Sequence, residues 1–368
     1  VDPVEAEREL GFALTTELRD FHYDAIVIGG GPSGATAAQE LASQGWRERQ
    51  LCEVKLTVTL TATDSTSMQF HLNKVKLNGA SKTIGADGGV IDIARAAKSA
   101  RVALPFDANC MISLVASGKK GLAAIKKATA KVKASHHKLA KVKLHAPIPR
   151  PRKNVFCVGW NYLDHFNEGA KARPHVQEMP THPAFFSKQP LCMNSPYGNV
   201  PAHGKVTEKL DWEVELAMII GPGGTHITEA NAMKHVFGYT VANDVSAREV
   251  QRHHGQQWFR GKSLDGHLPM GPWLVTADEV KDPNNLNLQC RVNGVVKQSS
   301  NTQHLYFKLP RIIAELSAGI TLEAGDIILT GTPSGVGHAR TPPEFMHPGD
   351  IMETEVEGIG ALRNKIVA

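Results

Sequence analysis

At 368 residues, with 42% hydrophobic and 21% charged side chains, the chain has the make-up of a globular protein with room for two domains and a large core. A formal charge of +5 is modest for this length, and no apolar run reaches the roughly 18 residues of a membrane span, so no transmembrane helix is expected. Five scattered cysteines (Cys52, Cys110, Cys157, Cys192, Cys290) with no C-x-x-C pair exclude a disulfide framework and point to reduced thiols in the cytoplasm.

The opening Val1-Asp-Pro-Val-Glu-Ala-Glu is acidic and lacks the apolar core of a signal peptide. Residues 23–45 run from a short apolar strand into Gly29-x-Gly31-x-x-Gly34 and a helix of small residues, with Glu53 at the distance of a ribose ligand. That is a dinucleotide fingerprint and resembles the opening of FAD-dependent oxidoreductases. A nucleotide domain also needs further βα units, and none follows before Asp64-Ser-Thr-Ser ends the alternating stretch from Leu56. Residues 1–65 therefore read as an isolated βα extension that binds no cofactor. Residues 66–145 read as a small α+β domain: Gly88-Gly-Val-Ile-Asp-Ile turns into a strand, and helices are expected over Ile93–Ala100 and Gly121–Leu139. Nine lysines between Lys119 and Lys143 lack interleaved aromatics, so they read as a solvated helix face and not as a nucleic-acid footprint. Three prolines in His145–Arg152 make a stiff linker.

Residues 146–368 carry the chemistry. Val155-Phe-Cys-Val-Gly breaks into a helical turn bearing His165 and Glu168, three apart and so on one face, where a carboxylate can orient an imidazole as a base. The polar, proline-bearing segment Gly169–Pro183 can close over a site as a lid. Leu210-Asp-Trp-Glu-Val-Glu-Leu-Ala-Met-Ile-Ile220 alternates at first, placing Asp211, Glu213 and Glu215 on one face, and then runs apolar into a core. Carboxylates about 7 Å apart repel by roughly 2–3 kcal/mol at an effective dielectric near 20. A bound cation removes that repulsion; a solvated acidic strand is the alternative. A further strand from Gly238 ends at Asn243-Asp244 and opens a helix with Arg248 and Gln251. Arg248 is open to two roles, substrate contact or a salt bridge to an acidic neighbour. Gly261-Lys262-Ser-Leu-Asp265 sets a lysine beside glycine, and the last hundred residues are β-rich with closely spaced turns. Gly331-Thr332-Pro-Ser-Gly335-Val-Gly337 lacks the lysine and helix of a P-loop but offers backbone amides and the Thr332 hydroxyl to an anion.

Taken in order, Gly159-x-Asn-Tyr-x-x-His165-x-x-Glu168, Glu213-x-Glu215, Asn243-Asp244-x-x-x-Arg248-x-x-Gln251, Gly261-Lys262-Ser-x-Asp265 and Gly331-Thr-Pro-x-Gly-Val-Gly337 resemble the fumarylacetoacetate hydrolase family over residues 146–368, and more loosely from about residue 75. The resemblance implies a mainly β fold with some α (α+β), a C-terminal roll of packed mixed sheets behind the small α+β domain, and a homodimer. It implies Mg²⁺ or Mn²⁺ held by Glu213, Glu215 and Asp244. Small 2-oxo acids and 1,3-diketo acids are the implied substrates, with no nucleic-acid or membrane partner. In that reading His165 and Glu168 activate a water, Lys262 stabilises an oxyanion, and Arg248, Gln251 and Thr332 hold the substrate. C–C hydrolysis of an acylpyruvate or a fumarylacetoacetate-like diketo acid is the main expectation. Oxaloacetate-type decarboxylation or 2-hydroxydienoate isomerisation on the same site is the alternative, and an FAD/NAD oxidoreductase built on Gly29–Gly34 a remote one.

Overall fold

The computed structural model describes residues 89–130, 132, 134–169, 178–255 and 257–368. The glycine fingerprint Gly29–Gly34, Glu53, the extension 1–65 and most of the lid segment lie outside the described residues. The described chain opens on a two-stranded ribbon, β1 (Gly89–Val90) with β2 (His137–Lys138), bracketing helices α1 (Ile93–Ala100) and α2 (Met111–Thr129). Asp92 starts α1 by accepting the Arg95 N–H at 3.0 Å. Periodicity places the second helix over Gly121–Leu139; it instead begins at Met111, bends at Gly118 and ends at Thr129. The Cys110 sulfur accepts the Ser113 N–H at its start, and the Thr129 hydroxyl turns back onto Ile125 O at its end. Lys119, Lys120, Lys126 and Lys127 are exposed on it, as a solvated face requires.

Two sheets make the body. The seven-stranded sheet runs β4 (Ala184–Lys188), β3 (Val155–Gly159), β14 (Ile327–Leu329), β8 (Val214–Ile220), β9 (Val236–Asn243), β11 (Leu268–Thr276) and β5 (Met193–Asn194). The five-stranded sheet runs β13 (Val295–Asn301), β12 (Asn287–Val292), β15 (Ile351–Val356), β16 (Gly360–Val367) and β6 (Val200–Pro201). Strands β8 and β9 lie against β12, β15 and β16, so the sheets face each other. Every residue of β8 and β9 is buried, whereas β16 alternates Leu362, Asn364 and Ile366 inward with Ala361, Arg363 and Lys365 outward. One sheet is thus covered on both faces and the other on one. Short helices α3 (Leu163–Glu168), α4 (Glu229–Ala232), α5 (Arg248–His253) and α6 (Phe259–Lys262) sit at strand ends, and α7 (Leu309–Ser317) buries Leu309, Ile312, Ile313 and Leu316 at helical spacing. The architecture is mainly β with some helix. No helix among the described residues is long and apolar enough to cross a membrane.

Asn161, after β3, fastens three segments that border the site. Its amide donates to Phe307 O at 3.1 Å and Thr330 O at 2.7 Å, and its oxygen accepts the Phe307 N–H at 2.7 Å. The residue is fully buried, so no water replaces a lost bond. Asn161→Ala should lower the unfolding free energy by about 3 kcal/mol, at roughly 1 kcal/mol for each buried bond. The urea midpoint should fall with an unchanged slope, and a loss below about 1 kcal/mol contradicts this role.

Candidate active site

The acidic stretch forms two strands, not the single half-buried strand that its alternation suggests. Strand β7 (Leu210–Asp211) pairs with β10 (Ser246–Ala247), and β8 begins only at Val214. Side chains replace the missing ladder. Trp212 N donates to Asp211 Oδ1 at 2.8 Å, Glu213 N to Asn243 Oδ1 at 3.0 Å and Val214 N to Gln298 Oε1 at 2.9 Å. Asp211, Glu213 and Glu215 are all buried, because Arg248, Lys262 and the 331–338 loop cover the face that alternation alone would give to solvent.

Glu213, Glu215 and Asp244 each offer an oxygen, and these oxygens lie within 4.8 Å of one another. Three buried cations answer them. Lys262 Nζ lies 2.6 Å from Glu213 Oε2 and 2.7 Å from Asp244 Oδ2. Arg248 Nη2 lies 2.7 Å from Glu213 Oε1, and its Nε lies 2.7 Å from Asp211 Oδ2. Lys188 Nζ donates to Asp244 Oδ1 at 2.7 Å and to Val245 O at 3.1 Å. Against Asp211, Glu213, Glu215 and Asp244 these leave one surplus negative charge. It settles on Glu215, which accepts the Gly331 N–H at 2.5 Å and has no cation paired with it among the described residues.

The titration behaviour follows that pairing. Burial opposes ionisation of Glu213, but Lys262 and Arg248 win and hold its carboxyl at about 2. Against the same burial, Arg248 and His338 hold Asp211 well below the usual carboxylate range. Burial, then the neighbouring Asp244 and Glu213, push Glu215 well above it. A buried, all-oxygen donor set with uncompensated negative charge suits a divalent cation such as Mg²⁺ or Mn²⁺. The residues present can therefore hold a metal.

His165 and Glu168 lie on α3 as their spacing requires, with Nδ1 2.8 Å from Glu168 Oε1. An ionised carboxylate only accepts, so Nδ1 carries the proton and Nε2 the lone pair. Glu168 Oε2 accepts the Gly335 N–H at 2.7 Å. The dyad borders the acidic cluster, since His165 contributes to holding Glu213 down.

The amides of the glycine-rich loop serve the protein's own anions instead of an external one. Gly331 N goes to Glu215, Gly335 N to Glu168, and Gly337 N and His338 N to Asp211 at 2.7 and 3.0 Å. Gly331 has φ +100°, and a Cβ there would stand 2.7 Å from Asn161 Cβ, so only glycine brings this amide onto Glu215. Thr332 stays available. Its hydroxyl oxygen accepts from Gln298 Nε2 at 2.8 Å, which turns its proton toward another acceptor. Arg248 takes the salt-bridge role, with Gln251 Oε1 accepting from its Nη1 at 3.2 Å. Lys262 is lodged between two carboxylates with Phe186 beneath it, 5.1 Å from the ring centroid.

Sequence reasoning missed Lys188 and Gln298, which carry no motif. It counted Asp211 among the acidic face without seeing that Asp211 anchors Arg248 and the loop.

A sequence model of the fumarylacetoacetate (FAA) hydrolase C-terminal family matches residues 154–367. Oxaloacetate tautomerase YisK of Bacillus subtilis is 47% identical over 231 residues, covering 62% of this chain and 75% of that protein. Among solved structures, a fumarylacetoacetate hydrolase from Exiguobacterium antarcticum is 40% identical with a TM-score of 0.61, over 70% of this chain and 87% of that one. A 5-carboxymethyl-2-hydroxymuconate delta-isomerase from Mycobacterium smegmatis is 37% identical with a TM-score of 0.52, over 62% and 82%. With more than half its length matched and its fold shared, the chain belongs to the fumarylacetoacetate hydrolase family.

Proposed function

We propose that the protein interconverts the keto and enol forms of a small 2-oxo dicarboxylic acid of the oxaloacetate type, with Mg²⁺ or Mn²⁺ held by Glu213, Glu215 and Asp244. The observation that carries it is one juxtaposition: an uncompensated buried carboxylate, Glu215, in a cluster bordered by an imidazole whose tautomer Glu168 fixes. The relatives named as a tautomerase and an isomerase support proton transfer over the C–C hydrolysis that the motifs first suggest. When bound, the divalent ion supplies Lewis acidity that weakens the C–H bond beside the 2-oxo group.

His165 Nε2 takes the proton from that carbon, and the bonding pair moves into the new C=C bond. The proton returns to the carbonyl oxygen to complete the enol, or to carbon in reverse. Glu168 holds the ring in place and stabilises the imidazolium between the two transfers. Lys262 has three N–H donors, two of them committed to Glu213 and Asp244; the third serves a substrate oxygen. Thr332, turned outward by Gln298, donates to the substrate carboxylate. Arg248 and Gln251 keep Glu213 and Asp211 in place.

The direct test follows enol–keto exchange of oxaloacetate by ultraviolet absorbance, beside acid release from acylpyruvates and CO₂ release, with and without Mg²⁺. Tautomer exchange should be the fastest. Cleavage or decarboxylation running far ahead of it refutes the proposal.

Glu215→Gln keeps the shape and removes the carboxylate that a bound cation would ionise. The variant should lose the stabilisation that Mg²⁺ confers, about 2.7 kcal/mol at a hundredfold excess over Kd. A wild-type response to Mg²⁺ excludes Glu215 as a ligand. His165→Ala should cost about 10²–10⁴ in kcat, the range of a general base, with Mg²⁺ affinity by calorimetry intact. A rate within tenfold of wild type removes His165 from the chemistry. Gln298→Leu frees the Thr332 hydroxyl to rotate, so KM should rise about tenfold, the worth of roughly 1.4 kcal/mol, while kcat changes less. An unaltered KM shows that Thr332 does not hold the substrate.

A further inference from the structure

Tyr162 links β3 to α3 and is 1% exposed. Its ring belongs to the main core with Leu305, Phe307 and Leu309, yet its buried phenol oxygen has no hydrogen-bond partner among the described residues. A dry, unpaired hydroxyl costs about 1–3 kcal/mol, and buried polar atoms are nearly always paired. Packing gives no reason for the oxygen, since phenylalanine would fill the same core position.

The phenol belongs to the site's surroundings. Asn161, next in the chain, presses on Gly331, whose N–H meets Glu215. Burial first, and then Glu215, push the phenol well above its ordinary range, so it is a neutral donor. Tyr162 also lines a cleft of about 380 Å³ with Leu163, Leu305, Tyr306, Pro333 and Ser334. The walls of the cleft thus include the first residue of α3 and the two residues that follow Thr332.

We propose that Tyr162 is a substrate-binding residue whose phenol donates a hydrogen bond to an oxygen of the acid seated beside Glu215. The inference rests on the 2-oxo acid reading of the site. It adds a neutral donor to the charged groups there, one that binds an enol or carbonyl oxygen without exchanging a proton with it.

Tyr162→Phe deletes the oxygen and keeps the ring. With oxalate as a non-reacting 2-oxo acid mimic in the presence of Mg²⁺, calorimetry should show affinity about tenfold weaker than wild type, which is one hydrogen bond of roughly 1.4 kcal/mol. The melting temperature of the ligand-free variant should equal or exceed that of wild type. Unchanged affinity overturns the proposal, and a lowered ligand-free melting temperature overturns its premise that the hydroxyl is unpaired. Wild type that fails to bind oxalate defeats the 2-oxo acid reading itself, and the inference with it, before any variant is compared. If Tyr162→Phe does not fold, a crystal structure of the wild type with oxalate and Mg²⁺ decides the matter. A phenol-to-oxalate distance within about 3.2 Å supports the assignment and one beyond about 4 Å overturns it.

Discussion

One imbalance governs this molecule: four carboxylates are buried at the mouth of a β-sheet with three cations to meet them. Burial makes each unpaired charge costly, so the surrounding chain is committed to paying that cost down. Lys188 arrives from an edge strand, Arg248 from a helix start and Lys262 from a helix end, and each finds at least two partners. Glu215 alone is left with a single backbone amide. A fold that leaves one buried carboxylate uncompensated favours a cation there, and the all-oxygen donor set around it suits a small divalent ion.

The glycine-rich loop is the second half of that arrangement. Four of its amides point at Glu215, Glu168 and Asp211, so it acts as a lining of fixed dipoles around the protein's own anions. It also couples the two chemical subsites. Glu168 of the dyad and Glu215 of the acidic cluster are held by residues four apart in the same loop, and a movement of the loop would disturb base and metal ligands together.

Much of this was legible in the sequence, and the limits are physical. Period two in Leu210–Glu215 marked two faces of an extended stretch, because alternation separates one environment from another, but it did not show the break at Trp212–Glu213. It could not say that the polar environment was an enclosed site and not solvent, since a carboxylate stabilised by Arg248 and one stabilised by water leave the same pattern. His165 and Glu168 were readable because helical geometry fixes an i, i+3 pair locally. Lys188 and Gln298 were not, because their partners lie 56 and 84 residues away and nothing local marks them. The glycine loop was found by composition, but the target of its amides was misread, as glycine spacing records backbone freedom and not what the N–H groups meet. The preference for hydrolysis over decarboxylation or isomerisation rested on a pattern that does not separate them: a histidine–glutamate pair activates a water and abstracts a carbon-bound proton with the same geometry.

The interruption between β7 and β8 bears on how the molecule folds. The backbone amides of Glu213 and Val214 are satisfied by Asn243 on β9 and by Gln298 on β13, and β13 belongs to the opposite sheet. The bend that presents Glu213 therefore cannot be completed within its own sheet. It is complete only when the two sheets have docked, through contacts distant in sequence. Ligand geometry is then a product of the whole assembly, and the amide of Val214 should exchange with solvent only as fast as the sheets part.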